Sequence, residues 1–283
     1  DVCSSDLNML PRSALHPYQI TMIERAKTTP CFGAFVDMGL GKTITTLTII
    51  AEQFQGKTLV VAPLRVAQTV WDKEAANWEH TKHLKISKVL GSEAQRIAAL
   101  QHDADVYVIN IENIVWLCER KEIKQFTNLV LDESHKWKAP STRRFKSLKK
   151  HIKSFQRRVC LTGTPSPQTV ADLWAQVGIL DLGERLETSL TRFREKYLEP
   201  DQINRHTRVV YSWKPKPQSV TIIQQKIKDI CFSLKAEDYL ELPKLTKLYH
   251  IIDIDAQVRT QYDTFKKDMV TDFGAGVITA STA

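Results

Sequence analysis

The stretch VDMGLGKTIT, residues 36–45, decides how this sequence is interpreted. Two glycines, a lysine and a threonine stand between an apolar run and a segment with helical spacing. A loop that binds phosphate needs successive backbone N–H groups at a helix N-terminus, where the partial positive charge favours an anion. Glycines allow the tight backbone path. The stretch therefore predicts a nucleotide-phosphate loop; the alternative is a glycine turn before a helix.

Each polar residue of this loop has a role in such a site. Lys42 would reach the β- and γ-phosphates of a nucleotide, and the Thr43 hydroxyl would ligate Mg²⁺. The pattern GxxxxGK[ST] has a glycine where Val36 stands, so this chain keeps only the shorter core from Gly39 to Thr43. A strand before that core and a helix after it favour the nucleotide interpretation.

The stretch LVLDESH, residues 129–135, supplies the acids that such a site needs. A Mg·ATP site needs a carboxylate near the threonine, and Asp132 follows an apolar strand-like run. Hydrolysis also needs a group that orients and deprotonates water, and Glu133 suits that role. The alternative is that both acids cap the next helix. The pair follows the glycine–lysine loop by about 90 residues, which favours the catalytic interpretation.

Short apolar runs alternate with helix-like segments from about Ala34 onward. Five runs are typical of buried strands: residues 32–37, 58–63, 105–110, 128–133 and 158–163. This alternation predicts an α/β fold with a mostly parallel sheet covered on both faces. Ligands of such sheets bind at the carboxyl ends of the strands. Three polar motifs, at residues 37–43, 132–135 and 162–165, each follow a strand, so we expect them to meet at one edge.

Helical patterns replace this alternation after about Gln176. One helix is expected over residues 188–198 and another over residues 220–234, because apolar residues recur there at helical spacing. A proline-containing loop at residues 213–219 separates them. Earlier in the chain, residues 66–78 have the pattern of a single helix, and residues 247–270 predict a new strand and a new helix.

Composition and charge limit the class of protein. The length of 283 residues predicts about two domains, and the five scattered cysteines indicate reduced thiols in a cytoplasmic protein. Neither a secretory signal nor a membrane-spanning run is visible, so no membrane partner is expected. The net charge is +8, and residues 143–158 hold eight basic residues and no acidic one. This basic block indicates either a polyanion partner or a solvated helix face.

Three motifs together resemble those of the superfamily two helicases and translocases. They are DMGLGKT at residues 37–43, DESH at 132–135 and LTGTP at 161–165, which resemble motifs I, II and III. More narrowly, the chain resembles the SWI/SNF-type ATPases, as a phage or bacterial member. HPYQ at 16–19 and VVAPLRVAQTVWDKEAANW at 60–78 resemble the adenine-reading segment and the segment that carries motif Ia.

The resemblance implies a RecA-like P-loop NTPase fold and specific roles for residues of this chain. The phosphates would be wrapped by Met38, Gly39, Gly41, Lys42, Thr43 and Ile44. Thr43 and Asp132 would hold Mg²⁺, and Glu133 would act on water. Gln19 would hydrogen-bond adenine, although a surface amide beside Tyr18 is the alternative.

Two further groups of residues receive implied roles. Thr162, Gly163 and Thr164 would couple the state of the nucleotide to the nucleic acid. Pro63, Leu64 and Arg65 would lie along the DNA backbone, with a solvated charge at a helix start as the alternative for Arg65. His135 would either link the nucleotide site to motif III or simply begin a helix.

The resemblance also divides the chain. Residues 8–177 are expected to form the RecA-like ATP-binding lobe, residues 178–246 a smaller helical protrusion, and residues 247–283 the start of a truncated second RecA-like lobe. Residues 1–7 resemble a translated sequencing-adaptor remnant and are expected to be a non-native leader. Because the second lobe carries the arginines that reach the γ-phosphate in this family, we expect slow hydrolysis by this chain alone.

The implied function is an ATP-dependent DNA translocase that remodels proteins bound to double-stranded DNA, with DNA-stimulated hydrolysis of ATP in the full-length protein. Three alternatives stay open. One is a helicase that unwinds duplexes with the same motor. Another is a small-molecule P-loop kinase, against which the DESH and LTGTP motifs argue. The third is a nucleotide- or DNA-binding module without turnover.

Overall fold

A computed structural model describes residues 9–166, 169–203, 210–239, 255–268, 270–272 and 277–279. The chain forms two compact units, one within residues 1–240 and one within residues 241–283. No helix in the described ranges is long and apolar enough to cross a membrane. The predictions for residues 1–7 and for a strand near residue 250 fall outside these ranges.

The first unit is built on a seven-stranded parallel sheet. Its strands and those of a separate hairpin are β1 (Cys31–Val36), β2 (Lys57–Ala62), β3 (Ile86–Val89), β4 (Val106–Asn110), β5 (Phe126–Asp132), β6 (Arg157–Thr162), β7 (Leu198–Ile203), β8 (Val210–Pro215) and β9 (Cys231–Leu234). The sheet has the order β3-β4-β2-β5-β6-β1-β9, and all its neighbouring strands are parallel. β7 and β8 pair antiparallel as the hairpin.

Helices connect the strands of this unit. They are α1 (Pro17–Thr28), α2 (Lys42–Gln53), α3 (Leu64–Thr69), α4 (Trp71–Ala76), α5 (Glu93–Gln101), α6 (Ile114–Cys118), α7 (Arg143–Lys149), α8 (Asp172–Asp181), α9 (Leu190–Tyr197) and α10 (Ser219–Ile227). Short 3₁₀ turns add to these, among them Ser134–Trp137 directly after β5.

The sheet is buried on both faces, as its continuous apolar strands predict. Along β2, Leu59 and Val61 belong to one apolar cluster, whereas Val60 and Ala62 belong to another. Successive side chains of a strand point to opposite faces, so the two clusters lie on opposite sides of the sheet. The prediction of an α/β fold with a mostly parallel, doubly covered sheet is confirmed.

The strands that precede the three polar motifs are neighbours. β6 lies between β5 and β1, and the register pairs Asp132 with Leu161 and Phe35 with Thr162. Since parallel strands end at the same edge, the residues that follow them are brought together there. The expected meeting of the three motifs at one sheet edge is therefore observed.

The helix predicted over residues 220–234 is wrong in its second half. α10 ends at Ile227, and the next apolar residues form β9, which pairs with β1 at the edge of the sheet. Burial on the sheet, not helical packing, explains the apolar residues Ile230 and Cys231. The parallel neighbour of β9 is about 200 residues away in sequence, so no local pattern indicates this strand.

Two other local predictions are corrected. The single helix predicted over residues 66–78 is divided into α3 and α4, with Val70 between them. The loop predicted at residues 213–219 begins as strand, because β8 extends to Pro215 and pairs with β7. The segment predicted to be a mainly helical protrusion therefore also contains this hairpin and β9.

The second unit is described only in part. It contains α11 (Ala256–Asp268), which agrees with the helix expected within residues 247–270. Two short strands, β10 (Val270–Asp272) and β11 (Val277–Thr279), pair antiparallel.

Candidate functional site

The glycine-rich loop between β1 and α2 has two residues in the left-handed region. Gly39 has φ 84° and Gly41 has φ 68°. A Cβ atom added to Gly41 would lie 2.2 Å from Nε2 of Gln19, so this amide would have to shift to accommodate a side chain. The sequence needs glycine at position 41 for its backbone angle and for the close approach of this amide.

Helix α2 begins directly at this loop with its first N–H groups unpaired. Gly41 is its N-cap and supplies no side-chain hydrogen bond. The first N–H groups of a helix have no partner within the helix, and together with the helix dipole they favour an anion. Met38 is 77% exposed on the loop, whereas Ile44 is only 2% exposed and packs in the core. Ile44 can therefore contact a phosphate only through its backbone.

Lys42 lies at the base of the loop. Its Nζ donates to the carbonyl oxygens of Val36, at 2.7 Å, and Asp37, at 3.0 Å. Burial lowers the pKa of Lys42, while the nearby carboxylates of Glu133, Asp132 and Asp37 act to raise it. The acids of the second motif thus lie near enough to the ammonium group to affect its pKa.

Asp132, the last residue of β5, is held by two hydrogen-bond donors. The indole Nε1 of Trp71 donates to Oδ2 at 3.3 Å, and the backbone N–H of Glu133 donates to Oδ1 at 3.0 Å. Asp132 is 7% exposed. Burial and the neighbouring Glu133 raise its pKa to about 6, while the Trp71 hydrogen bond and Lys42 oppose this shift.

Glu133 and His135 connect the second motif with the third. Glu133 has left-handed backbone angles, φ 52° and ψ 54°, which are uncommon for residues other than glycine and occur at active sites as well as in turns. Nδ1 of His135 lies 3.1 Å from Oε2 of Glu133 and 3.1 Å from Oγ1 of Thr162. Of the two interpretations of His135, the structure supports the link to motif III.

The third motif packs against the glycine-rich loop. Oγ1 of the fully buried Thr162 also accepts a hydrogen bond from the backbone N–H of Thr164 at 3.1 Å. A Cβ atom on Gly163 would lie 3.3 Å from the backbone nitrogen of Met38. A displacement of the loop near Met38 would therefore also require motif III to move.

Gln19 is buried next to the loop and not exposed on the surface. Its Oε1 accepts the backbone N–H of His16 at 2.7 Å in a capping box, and its Nε2 lies 3.5 Å from the carbonyl oxygen of Leu40. Tyr18 stacks on His16 and contacts Tyr239. The surface-amide alternative is excluded, and the amide lies within reach of the phosphate loop.

The candidate DNA contacts follow β2 at the same sheet edge. Pro63 is the N-cap of α3, and Leu64 and Arg65 are both exposed. A cleft of about 580 Å³ joins this segment to the three motifs. It is lined by Asp37, Met38, Pro63, Val66, Glu133, His135, Lys136, Gly163 and Thr164. Residues of the glycine-rich loop, the second and third motifs and the segment after β2 thus line one cleft, whereas Gln19, Lys42, Thr43 and Asp132 are not among its lining residues.

The donor set fits Mg²⁺ bound together with a nucleotide. Among the described residues, no three His, Cys, Asp or Glu side chains are grouped as a metal cluster. Mg²⁺ in nucleotide sites takes one or two protein oxygens and completes its shell with phosphate and water. The Asp132 carboxylate keeps acceptor capacity beyond its two hydrogen bonds, and Thr43 lies one residue from Lys42.

Two important side chains escape prediction from the sequence. Trp71 carries only a helix-packing pattern, yet its indole reaches Asp132 across 61 positions. Gln176 is fully buried; its Oε1 accepts from Ser134, and its Nε2 donates to the carbonyl oxygens of Pro165 and Asp172. It thereby joins the second motif to the end of the third. The sequence does contain one indication of this role, because Gln176 is a polar residue inside a largely apolar helix.

The parallel sheet, the glycine-rich loop and the acidic pair define the class of P-loop NTPases with a RecA-like fold. The model of the SNF2-related domain matches residues 22–280, and the chain belongs to this family. The predicted resemblance to the SWI/SNF-type ATPases is thereby confirmed.

Individual relatives agree with this assignment. Protein p41 of Acyrthosiphon pisum secondary endosymbiont phage 1 is 31% identical over 284 residues, covering 94% of this chain and 60% of that protein. The DNA excision repair protein ERCC-6-like of Danio rerio is 29% identical over 178 residues, covering 58% of this chain and 12% of that protein. The chain thus spans only part of the length of these relatives.

A solved structure shows the same fold. The SWI2/SNF2 ATPase core of Sulfolobus solfataricus in complex with double-stranded DNA superimposes with a TM-score of 0.60 at 24% sequence identity. The match covers 78% of this chain and 44% of the archaeal one.

Proposed function

We propose that this chain carries the ATP-binding lobe of an ATP-dependent translocase on double-stranded DNA. One observation carries the proposal: the loop with Lys42, the acids Asp132 and Glu133, and Thr162–Thr164 of the third motif converge at one edge of the sheet. Membership in the SNF2-related family and the likeness to an ATPase core bound to double-stranded DNA support this function.

The loop would bind the triphosphate. Backbone N–H groups from Met38, Gly39, Gly41, Lys42, Thr43 and Ile44 would surround the phosphates, and the Lys42 ammonium would neutralise their charge. Gln19 would hydrogen-bond adenine, for which its amide would exchange the weak 3.5 Å contact with Leu40. Adenine would then be read by a side chain that also packs against the loop.

The acidic pair would carry the chemistry. Asp132 and Thr43 would hold Mg²⁺, which supplies charge neutralisation at the phosphates. Glu133 would accept a proton from the attacking water, and its link to His135 would orient its carboxylate. Charged groups so close to one another in a partly buried cleft are typical of a catalytic site.

The third motif would couple the nucleotide to the nucleic acid. Gly163 packs against the loop, and Thr162 contacts His135, so Thr162, Gly163 and Thr164 would move with the nucleotide. Pro63 lines the same cleft, and Pro63, Leu64 and Arg65 would contact the DNA backbone. Contacts of this kind are insensitive to sequence and weaken with salt.

We also propose the division of the chain suggested by the family. Residues 8–177 would form the ATP-binding lobe together with β9, which completes its sheet, and the segment from α9 to α10 would form a protrusion.

Nucleotide binding tests the first step. ATP affinity is measured for the chain, for Lys42→Ala and for Lys85→Ala, whose exposed side chain pairs with Asp103 away from the site. Lys42→Ala is expected to weaken binding by about tenfold or more, since an ammonium group at the phosphates is removed. Lys85→Ala is expected to bind as the unchanged chain. Equal loss in both variants, or none in either, contradicts the proposed site.

DNA dependence separates the alternatives. ATP turnover is measured with and without duplex DNA for this chain and for the longer relative p41. Stimulation by duplex without strand displacement supports a translocase, and strand displacement supports a helicase. Turnover that responds to a metabolite and not to DNA supports a kinase. Tight ATP binding without turnover in either protein supports a binding module.

A further inference from the structure

Trp71 is the first residue of α4, and its side chain is fully buried in the apolar cluster on one face of the sheet. The motif-based roles give it no part in the site. Its indole Nε1 nevertheless donates to Oδ2 of Asp132 at 3.3 Å. Among the described residues, no other side chain donates a hydrogen bond to this carboxylate.

The two donors on Asp132 have different origins. Glu133 is the next residue in the chain, and its backbone N–H donates to Oδ1. Trp71 belongs to a different element, α4, and its indole N–H donates to Oδ2. A carboxylate held at both oxygens loses its freedom to rotate about the Cβ–Cγ bond. Each oxygen has two lone pairs, so one acceptor position per oxygen is left.

The other buried tryptophans of this chain show that this contact is not a general consequence of packing. Trp78 belongs to the same cluster, and its Nε1 donates to Glu74 Oε1 at 3.2 Å, four residues earlier in the chain. Nε1 of Trp137 is buried, and no partner for it lies within the described ranges. Trp71 is distinguished because its partner is the proposed metal ligand.

We propose that Trp71 is a positioning residue that holds the Asp132 carboxylate in a fixed orientation for Mg²⁺. The inference rests on the proposed function. A rigid ligand binds a metal with strict geometry more tightly than a mobile one, and groups that hydrogen-bond to metal ligands commonly change metal affinity by about 10- to 100-fold. Trp71 would therefore affect the contribution of Mg²⁺ to nucleotide binding, and not nucleotide binding itself.

The test compares Trp71→Phe with Trp78→Phe. Both substitutions remove an indole N–H from the same cluster, but only the first removes a donor from Asp132. The affinity for a fluorescent ATP analogue is measured with excess Mg²⁺ and with EDTA. The dissociation constant in EDTA divided by the dissociation constant in Mg²⁺ gives the Mg²⁺ contribution. Trp71→Phe is expected to reduce this ratio about tenfold. Its affinity in EDTA, and the ratio for Trp78→Phe, are expected to stay within about twofold of the unchanged chain.

A second variant separates the hydrogen bond from packing. Benzothienylalanine at position 71 replaces the indole N–H with sulfur and keeps the shape of the ring, so it decides the case if Trp71→Phe does not fold. A reduced ratio with this residue supports the inference. An unchanged ratio, in a chain that otherwise shows a Mg²⁺ contribution, overturns the role of Trp71 alone. If the unchanged chain shows no Mg²⁺ contribution, the proposed Mg·ATP site fails and the inference fails with it.

Discussion

The geometry of the candidate site depends strongly on glycine at position 41. The left-handed φ of Gly41 makes a Cβ atom costly, and the Gln19 amide would have to move to make room for one. The adjacent N–H groups and Lys42 depend on this backbone path. The loop and the segment that contains Gln19 are thus packed against each other.

Substitution of Gly41 by alanine tests this dependence. Gly41→Ala is expected to lower the free energy of unfolding by about 1–2 kcal/mol, from the left-handed backbone, and to abolish detectable ATP binding because Gln19 and the loop must separate. Urea unfolding and ATP titration measure the two effects. ATP binding at the original affinity would show that the loop path is not needed for the phosphates.

Thr162 links the second and third motifs through one hydroxyl. Thr162→Val keeps the shape but leaves the Thr164 N–H and the His135 Nδ1 without this oxygen. His135 Nδ1 keeps its contact with Glu133 and Thr164 is exposed, so the free energy of unfolding in urea is expected to fall by about 0.5–1.5 kcal/mol, as for the loss of an ordinary hydrogen bond.

Thr45→Val is the matched control for that substitution. Thr45 is equally buried, but its hydroxyl donates to the Gly41 carbonyl, which also accepts the Thr45 backbone N–H. No group is left unpaired when its hydroxyl is removed, so a change below about 0.5 kcal/mol is expected. Equal effects at both positions would show that the Thr162 hydroxyl has no special role.

At the level of elements, the sequence predicts the strands that carry the motifs but not the edges of the sheet. β1, β2, β4, β5 and β6 are buried on both faces, so their apolar runs are uninterrupted. β3 and β9 have mixed burial at the two edges, and their patterns are weak. The apolar spacing of α10 continues by chance into β9, which explains the helix predicted there.

The candidate site is predictable for a related reason. Its loop and acids are consecutive residues with fixed spacing, so their chemistry is visible in the sequence. The contacts of Trp71 and Gln176 join residues that are far apart in sequence, 61 positions for Trp71 and Asp132 and 42 for Gln176 and Ser134. Only the packing of helices on the sheet brings such pairs together.

Helix α8 contains a glycine that its packing does not require. A Cβ atom on Gly178 would meet no heavy atom within 4 Å. Gly178→Ala is expected to raise the free energy of unfolding by about 1 kcal/mol, because alanine restricts the unfolded chain and favours the helix. Thermal or urea unfolding measures the gain, and unchanged ATP affinity is expected. A destabilised variant would show that the adjacent apolar cavity, which Gly178 lines, collapses in solution.

At the scale of the whole molecule, the net charge is +8, but some of the basic side chains are engaged within the protein and cannot contact a polyanion. In the basic block at residues 143–158, Arg158 donates to the carbonyl oxygens of Leu180, Ile152 and Phe155, and Arg157 donates to that of Ala26. Both arginines therefore have structural roles. The lysines of α7 and the exposed Arg65 remain as candidates for phosphate contacts.

Paired substitutions decide which of these charges contacts DNA. Arg65→Ala is expected to weaken duplex binding roughly threefold or more at low salt and to reduce the slope of log K against log salt concentration by about 1, independently of sequence. Lys146→Ala removes one exposed charge from α7, and Lys146 is not among the residues that line the cleft. It is expected to leave that slope unchanged, since a charge that makes no phosphate contact releases no counterion. The measurement is duplex binding across a salt series. A loss of slope in Lys146→Ala but not in Arg65→Ala would transfer the DNA contact from the segment after β2 to the basic block, and a loss in both would assign contacts to each.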